Sequence, residues 1–283
     1  MAVLHLKKWN LSIGDGQPLL CIAGLNVIED LDLALETARR LKAITAALDM
    51  PFVFKASFDK ANRSSLQSYR GPGMAEGLKI LAEVKAQVGV PIATDIHEVA
   101  QAEPVSQVAD IVQIPAFLCR QTDLVTAAAQ AVARAGSWLH VKKGQFLAPE
   151  DGRNIIDKIN EAGTRDITIL CERGVSFGYH NLVVDMLGIG QMKALGVPVT
   201  IDATHAVQLP GANPMTNGAS AGGRREGVPI IAMAAVAAGA DGVFLEFHPD
   251  PDRALCDGPS CLPLSAAEGL LGRLKAVHAA VNT

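Results

Sequence analysis

Eight short apolar runs recur along the chain, and each has the length and residue types of a buried β-strand. They lie at 18–24, 52–57, 91–97, 111–116, 139–145, 167–174, 198–205 and 242–249. Between them lie stretches with helical periodicity. In the first, residues 31–48, Leu31, Leu35 and Leu41 fall on one stripe with charged residues off it. Eight strands alternating with about eight helices over roughly 250 residues predict an α/β protein with a (β/α)8 TIM-barrel fold.

A doubly wound open sheet is the competing architecture for such an alternation. It favours a GxGxxG fingerprint after the first strand, and "IAGLNVIED" at 22–30 does not contain one. We therefore expect residues 1–283 to form a single barrel domain. Residues 1–16 precede the first strand and are predicted to be an N-terminal extension, a short hairpin that closes the bottom of the barrel.

Composition and charge narrow the function classes. Of the 283 residues, 49% are apolar and 19% are charged, and the net charge is −4, which argues against a nucleic-acid partner. The N-terminus lacks the apolar core of a secretion signal, and the most apolar run, 230–240, is too short to span a bilayer. Five cysteines without a CxxC pair indicate a reduced protein. We expect a cytoplasmic protein without a membrane partner.

The ends of the predicted strands carry unusual polar residues. Because a barrel builds its site from the loops after its strands, we expect these side chains to meet at one mouth. In chain order they are Asn26, Lys55, Lys60, Asn62, Arg63, Ser64, Asp95, His97, Gln113, Lys142, Lys143, Arg173, Asp202, His205, Glu246, His248 and Asp250.

The cations in this set come from four loops of an acidic protein, and such a cluster repels itself unless an anion is bound. They are Lys55, Lys60, Arg63, Lys142, Lys143 and Arg173. Arginine and serine side chains together suit a phosphate group. Two separate groups of cations indicate two anionic substrates, or one substrate with a phosphate and a carboxylate. Ion pairing with Asp59, Asp95 or Glu172 is the structural alternative for some of them.

A second constellation contains His205, Glu246 and Asp257. Nitrogen and carboxylate ligands suit a divalent cation, and a hydrogen-bonded acid–base group without metal fits the same residues. The segment "CDGPSC" at 256–261 is expected to form a tight turn that positions Asp257. The stretch "GASAGGRREG" at 218–227 has two interpretations, a mobile lid or an anion cradle at a helix N-terminus, and the lid is favoured.

Taken together, these motifs resemble the 3-deoxy-D-manno-octulosonate 8-phosphate (KDO8P) synthases. The resemblance covers nearly the whole chain and includes "FKASFDKANRSS", "TDIHE", "QIPAFLCRQTDL", "KKGQF", "DATHAVQ" and "CDGPSCLPL". It implies a homotetrameric (β/α)8 transferase. Such an enzyme condenses phosphoenolpyruvate with D-arabinose 5-phosphate and water, and it releases KDO8P and inorganic phosphate for lipopolysaccharide biosynthesis.

The resemblance also implies roles for individual residues. Phosphoenolpyruvate would be held by Lys55, Lys60, Gln113, Lys142, Arg173 and His205, and the pentose phosphate by Asn62, Arg63 and Ser64. Asp95 and Phe117 complete the expected substrate-binding set, and the segment containing Phe117 and Arg120 resembles a subunit interface. Lys60 is expected to protonate or polarise the aldehyde oxygen. The candidates for taking the proton of the attacking water are His205, Glu246, Asp250 and Asp257. Which of them acts as the acid and which as the base stays open.

The family occurs in two kinds that differ after the first strand. Metal-dependent members carry a cysteine there beside His, Glu and Asp ligands, and the other kind carries asparagine. Asn26 therefore implies a catalytic amide, no metal and no cofactor. A divalent metal at His205, Glu246 and Asp257 is the alternative, because the segments 142–151 and 208–223 resemble the metal-dependent kind.

Three other functions compete with this assignment. Sibling enzymes use phosphoenolpyruvate with other acceptors, as DAHP synthases and sialic acid synthases do, but "KANRSS" at 60–65 favours arabinose 5-phosphate. A metal-dependent aldolase would use His205, Glu246 and Asp257 to polarise a carbonyl group. A sugar-phosphate-binding protein without chemistry would leave Glu246 and Asp257 unexplained.

Overall fold

The computed structural model describes residues 3–177, 179–211 and 221–282. Within them, eight parallel strands close into a barrel, because the seventh pairs with the eighth and the eighth with the first. This closure confirms the (β/α)8 prediction and excludes the open sheet. The strands are β1 (Leu20–Val27), β2 (Phe52–Ser57), β3 (Ile92–Asp95), β4 (Ile111–Ile114), β5 (Trp138–Lys142), β6 (Thr168–Glu172), β7 (Val199–Asp202) and β8 (Gly242–His248).

Helices follow the strands on the outside of the barrel, besides a short helix, Ala203–Ala206, that comes directly after β7 and carries His205. They are α1 (Leu31–Ala47), α2 (Met74–Val88), α3 (Ala102–Ser106), α4 (Thr122–Ala135), α5 (Gly152–Glu161), α6 (Leu187–Lys193), α7 (Val228–Ala237) and α8 (Ala267–Val281). The Asp30 side chain accepts a hydrogen bond from the Leu33 amide at 2.8 Å and caps the start of α1. In the described part of the chain, no helix combines the length and the apolar character needed to cross a membrane.

Short strands add ribbons around the C-terminal mouth of the barrel. Val175–Ser176 pairs with Leu182–Val183, and Leu262–Pro263 pairs with the end of β8. Gln208–Leu209 pairs with Gly222–Gly223. The lid expected at 218–227 lies partly outside the described residues, which resume at Ala221.

The N-terminal hairpin consists of Val3–Leu6 and Leu11–Gly14. Its buried side chains Leu4, Leu6 and Ile13 form one cluster with Trp138 and Phe244 and with other residues that begin the barrel strands. The hairpin therefore closes the lower end of the barrel, as expected for the N-terminal extension. Because the lower interior is filled with apolar side chains, a polar binding site can lie only in the upper half of the barrel.

The upper half of the barrel interior is polar, and the alternation of side chains between the two faces of each strand decides which residues line it. On β5, Trp138 belongs to the lower cluster and Lys142 lines the upper cavity. Lys143 follows immediately and does not line that cavity. Its ammonium bonds the Leu147 carbonyl at 3.1 Å and lies 3.5 Å from Glu172. The expectation that Lys143 joins the other cations is wrong, because the alternation sends it outward.

Candidate active site

The C-terminal mouth of the barrel contains a cavity that is open to solvent. Every residue predicted to bind substrate lines it: Lys55, Lys60, Asn62, Arg63, Ser64, Asp95, Gln113, Phe117, Lys142, Arg173 and His205. Three cations of this set, Lys55, Lys142 and Arg173, are almost fully buried, and we call them the cationic floor. Residues 60–64, which follow β2, form the rim loop. The structure therefore brings the side chains that were predicted from the sequence to one place.

Lys55 of the cationic floor is neutralised by Glu246. Its ammonium lies 2.9 Å from Glu246 Oε1, and both side chains are excluded from solvent. Burial alone would raise the pKa of Glu246, but the positive charges of His205 and Lys55 outweigh it and hold that pKa far below its ordinary range. Glu246 is therefore a fixed anion under the cavity. A Cβ on Gly24 would lie 2.1 Å from the Lys55 carbonyl oxygen, so only glycine allows β1 to run beside Lys55.

Asp202, at the end of β7, connects a second lysine of the floor with His205. Asp202 Oδ2 lies 2.5 Å from Lys142 Nζ and 2.9 Å from His205 Nδ1. Although burial opposes ionisation, the charges of His205 and Lys142 keep the pKa of Asp202 well below its ordinary value. An ionised Asp202 accepts from Nδ1, so the Nε2 atom of His205 faces the other carboxylates, 3.7 Å from Glu246 and 3.9 Å from Asp257.

Asp257 joins residues from three loops, as expected of a residue positioned by the "CDGPSC" turn. Its carboxylate accepts from Gln208 Nε2 at 2.8 Å and from Asn26 Nδ2 at 3.3 Å, and Arg63 Nη1 lies at 3.5 Å. The backbone of Asp257 has a φ of 49°, in the left-handed region where aspartate is one of the few tolerated side chains. The turn therefore directs this carboxylate toward the cavity.

Asp95 lies at the end of β3 between a serine and a histidine. It accepts a short hydrogen bond from Ser57, and His97 Nε2 lies 3.1 Å from Oδ2. Burial would raise the pKa of Asp95, but the His97 hydrogen bond and the nearby charge of Lys55 keep it well below its ordinary value. Asp95 is therefore a third fixed anion near the floor, after Glu246 and Asp202, and it faces Lys55 and Lys60.

Lys60 and Arg173 have no carboxylate within ion-pair distance among the residues that the structure describes. Burial lowers the pKa of Arg173, and its Nη1 atom is buried without a hydrogen-bond partner. Its Nη2 atom reaches only the His205 carbonyl at 3.5 Å and Gln208 Oε1 at 3.4 Å. For Lys60, burial opposes the charge, but Glu246 and Asp95 outweigh it and raise the pKa. Both cations are thus charged and able to receive an anionic ligand.

One predicted catalytic residue lies away from this group. Asp250 is exposed and does not line the cavity, and its backbone amide bonds His248 Nδ1 at 3.0 Å. The structure therefore brings His205, Glu246 and Asp257 together without Asp250. The physical reason is that the chain leaves β8 after His248, and only the later turn at 256–261 returns to the mouth.

The cavity also contains residues that were not assigned to it from sequence. Gln145, Gln208 and Cys256 line it. Cys256 Sγ accepts from Arg63 Nη1 at 2.7 Å, so the thiol helps to hold that guanidinium. These side chains are neutral, so the search for charged residues at strand ends did not find them. Gln208 could have been found, because it lies within the motif "DATHAVQ". Asp202 was noted at a strand end, but its central place could not be seen before its two partners were located.

The alternative of a divalent metal at His205, Glu246 and Asp257 depends on whether these side chains are free to coordinate one. Asn26 Nδ2 lies 2.5 Å from Glu246 Oε2, so the amide directs an N–H group at a carboxylate that a metal would use. Across the described ranges, no group of three or more His, Cys, Asp and Glu side chains is arranged to hold a metal ion. The donor set therefore fits a hydrogen-bonded network better than a resident metal.

The closed barrel and its cation-lined mouth define this chain as a (β/α)8 protein with a site for phosphorylated or acidic ligands. The profile of the DAHP synthetase I family matches residues 2–282. The chain belongs to this family.

Similar proteins named 2-dehydro-3-deoxyphosphooctonate aldolase occur in several bacteria. One from Shewanella piezotolerans is 53% identical over 97% of this chain and 94% of its own length. One from Marinobacter nauticus is 51% identical over 100% of this chain and 98% of its own length. One from Hahella chejuensis is 53% identical over 98% of this chain and 95% of its own length. The family resemblance seen in the sequence motifs is thereby confirmed.

Replacing Asn26 by cysteine is expected to create a metal site. A thiolate in place of the amide would face His205, Glu246 and Asp257, which together form a ligand set typical of transition metals. We expect Asn26→Cys to retain stoichiometric manganese, iron or zinc after dialysis, as measured by elemental analysis. The matched control is Asn26→Ser, which shortens the side chain without adding a thiolate. Equal metal contents in the two variants would contradict the assignment.

Proposed function

We propose that this chain condenses phosphoenolpyruvate with D-arabinose 5-phosphate and water to give KDO8P and inorganic phosphate. The observation that carries this proposal is one cavity with two cationic regions, the buried floor and the exposed rim loop. Family membership supports it, because the relatives are named for an eight-carbon phosphorylated sugar acid. A three-carbon donor with a carboxylate and a five-carbon aldehyde phosphate supply those carbons.

The two substrates are assigned by size and burial. Phosphoenolpyruvate is small and densely charged, and the floor offers Lys55, Lys142 and Arg173 at low exposure. Arabinose 5-phosphate is longer, and the rim loop presents exposed Asn62 and Ser64 beside Arg63. An arginine with a hydroxyl suits a terminal phosphate. The aldehyde end then points inward, toward the donor.

The chemistry requires the C3 atom of phosphoenolpyruvate to attack the aldehyde while water adds to C2, after which the C–O bond to phosphate breaks. Fixed cations around the phosphate and carboxylate stabilise the charge that moves in these steps. Alignment of both substrates in a near-attack geometry contributes about 7–11 kcal/mol. The protonated Lys60 ammonium donates to the aldehyde oxygen as it becomes a hydroxyl group.

His205 is the residue best placed to take the proton of the attacking water. The base is the neutral form of His205, in which Asp202 holds Nδ1–H and Nε2 carries the lone pair. When the ring takes the proton, it gains the positive charge that lowers the pKa of Asp202 and Glu246. Glu246 and Asp257 lie within 4 Å of Nε2 and stabilise the imidazolium that forms. Asn26 fixes both carboxylates through its amide N–H groups.

We also propose that the reaction needs no divalent metal. The support is the Asn26 amide, which donates hydrogen bonds to Glu246 and Asp257, the two carboxylates that a metal ion would have to bind. A metal-dependent aldolase is less well supported, because it would need those carboxylates free to coordinate.

Assembly and location are part of the same proposal. We place the enzyme in the cytoplasm, where its five free, buried cysteines stay reduced. A homotetramer is supported by large apolar side chains that are exposed in the segments after β4, β5 and β6, namely Phe117, Phe146, Phe177 and Leu187. Sedimentation of the purified chain tests this, and a monomer at micromolar concentration would contradict it.

The direct test is phosphate release from phosphoenolpyruvate with D-arabinose 5-phosphate, measured with and without a strong chelator. We expect release only when both substrates are present, at a rate that chelation leaves unchanged. Lys60→Met should slow it about a hundredfold or more, as removal of a general acid does. The control is Lys79→Met, which replaces an exposed lysine of α2. Release with erythrose 4-phosphate instead would indicate a DAHP synthase, and a loss of activity restored by manganese would refute metal independence.

A further inference from the structure

His140 lies beneath the cavity floor and has no part in the chemistry described above. Its side chain on β5 is 1% exposed and stacks on Phe244, with ring centroids 6.1 Å apart and planes inclined by 12°. Phe244 also carries Lys142 over its ring at 3.8 Å. His140 is therefore packed against the aromatic ring that supports the floor, but it does not line the cavity.

Both nitrogens of the His140 ring have hydrogen-bond partners. Nδ1 lies 3.1 Å from Gln113 Oε1, and Nε2 lies 2.8 Å from Thr200 Oγ1. Burial, together with the charge of Lys142, lowers the pKa of His140 to about 3, so the ring is neutral at physiological pH. A neutral imidazole has one donor and one acceptor nitrogen, so the ring donates in one of these two hydrogen bonds and accepts in the other.

The Thr200 hydroxyl can donate only one hydrogen, either to His140 Nε2 at 2.8 Å or to the Leu170 carbonyl at 3.4 Å. The shorter contact has ordinary hydrogen-bond length for a hydroxyl donor, and the longer one does not. If Thr200 donates to Nε2, the ring proton is on Nδ1 and points at the carbonyl oxygen of the Gln113 side chain. The nitrogen of that amide then has no partner among the described residues and lies at the cavity.

We propose that His140 is a positioning residue that donates from Nδ1 to Gln113 Oε1 and so directs the two N–H groups of the Gln113 amide at the bound anion. Without this bond the amide can turn over. Its oxygen would then face the substrate and oppose a negative charge. The effect is on binding of the anion, because His140 does not line the cavity and acts only through Gln113, which does. This inference rests on the proposed function for the identity of the anion, phosphoenolpyruvate.

The orientation of the ring can be measured without any turnover. In protein labelled with ¹⁵N-histidine, proton–nitrogen couplings distinguish the Nδ1–H from the Nε2–H form, and loss of one signal in a His140 variant assigns it. We expect the Nδ1–H form at neutral pH. The Nε2–H form would overturn the proposal, whether or not the protein releases phosphate, so this outcome is separate from a failure of the proposed function.

Variants test the consequence for binding. His140→Leu removes the donor, and we expect KM for phosphoenolpyruvate to rise about tenfold with little change in kcat, the loss typical of one hydrogen bond to a charged-ligand site. His140→Asn keeps an amide donor near the Nδ1 position and should restore most of the affinity. Calorimetric binding of phosphoenolpyruvate gives the same comparison if turnover is absent.

A double-mutant cycle separates positioning from a general packing defect. In a Gln113→Leu background, His140→Leu should cause no further loss of affinity, because the amide it orients is gone. Additive losses, or equal losses for the Asn and Leu variants, would overturn the proposal. If His140→Leu does not fold, the tautomer of the unmodified protein and the Asn variant decide it.

Discussion

The site depends on cations that are kept almost out of water inside the upper half of the barrel. A buried charge is tolerated only when opposite charges and hydrogen bonds replace its hydration. Glu246 does this for Lys55, and Asp202 does it for Lys142. Arg173 is buried to a similar degree but has no carboxylate partner among the described residues, so its charge is left for a ligand. The cavity is thus selective for anions before any substrate contact is considered.

The same carboxylates set the orientation of the groups assigned to chemistry. Because Asp202 bonds both Lys142 and His205, the lysine assigned to substrate binding and the histidine assigned to the water share one fixed anion. Glu246 and Asp257 are linked in turn through the Asn26 amide. A change to one of these groups therefore alters several others, and single substitutions in the network should not add independently.

Much of the fold and the site could be predicted because both depend on local rules. Strand periodicity and the position of polar residues at strand ends were enough to place Lys55, Gln113 and His205 at one mouth. Alternation along β5 could also have separated Lys143 from Lys142, had it been applied residue by residue. Asp250 and Asp257 could not be distinguished, since their positions depend on how the segment after β8 folds back. His140 and Gln208 are themselves neutral side chains, and a neutral side chain leaves no signal in the charge or the spacing of a sequence.

The central claim is that the buried charge of Arg173 is compensated by the ligand and not by the protein. The most direct measurement is the thermal stability of the unmodified protein and of Arg173→Met, each with and without phosphoenolpyruvate. A ligand at 100 times its Kd should stabilise the unmodified protein by about 2.7 kcal/mol. We expect the free variant to be at least as stable as the free unmodified protein, and to lose this ligand-dependent gain. A strongly destabilised variant that still gained full stability from phosphoenolpyruvate would contradict the account.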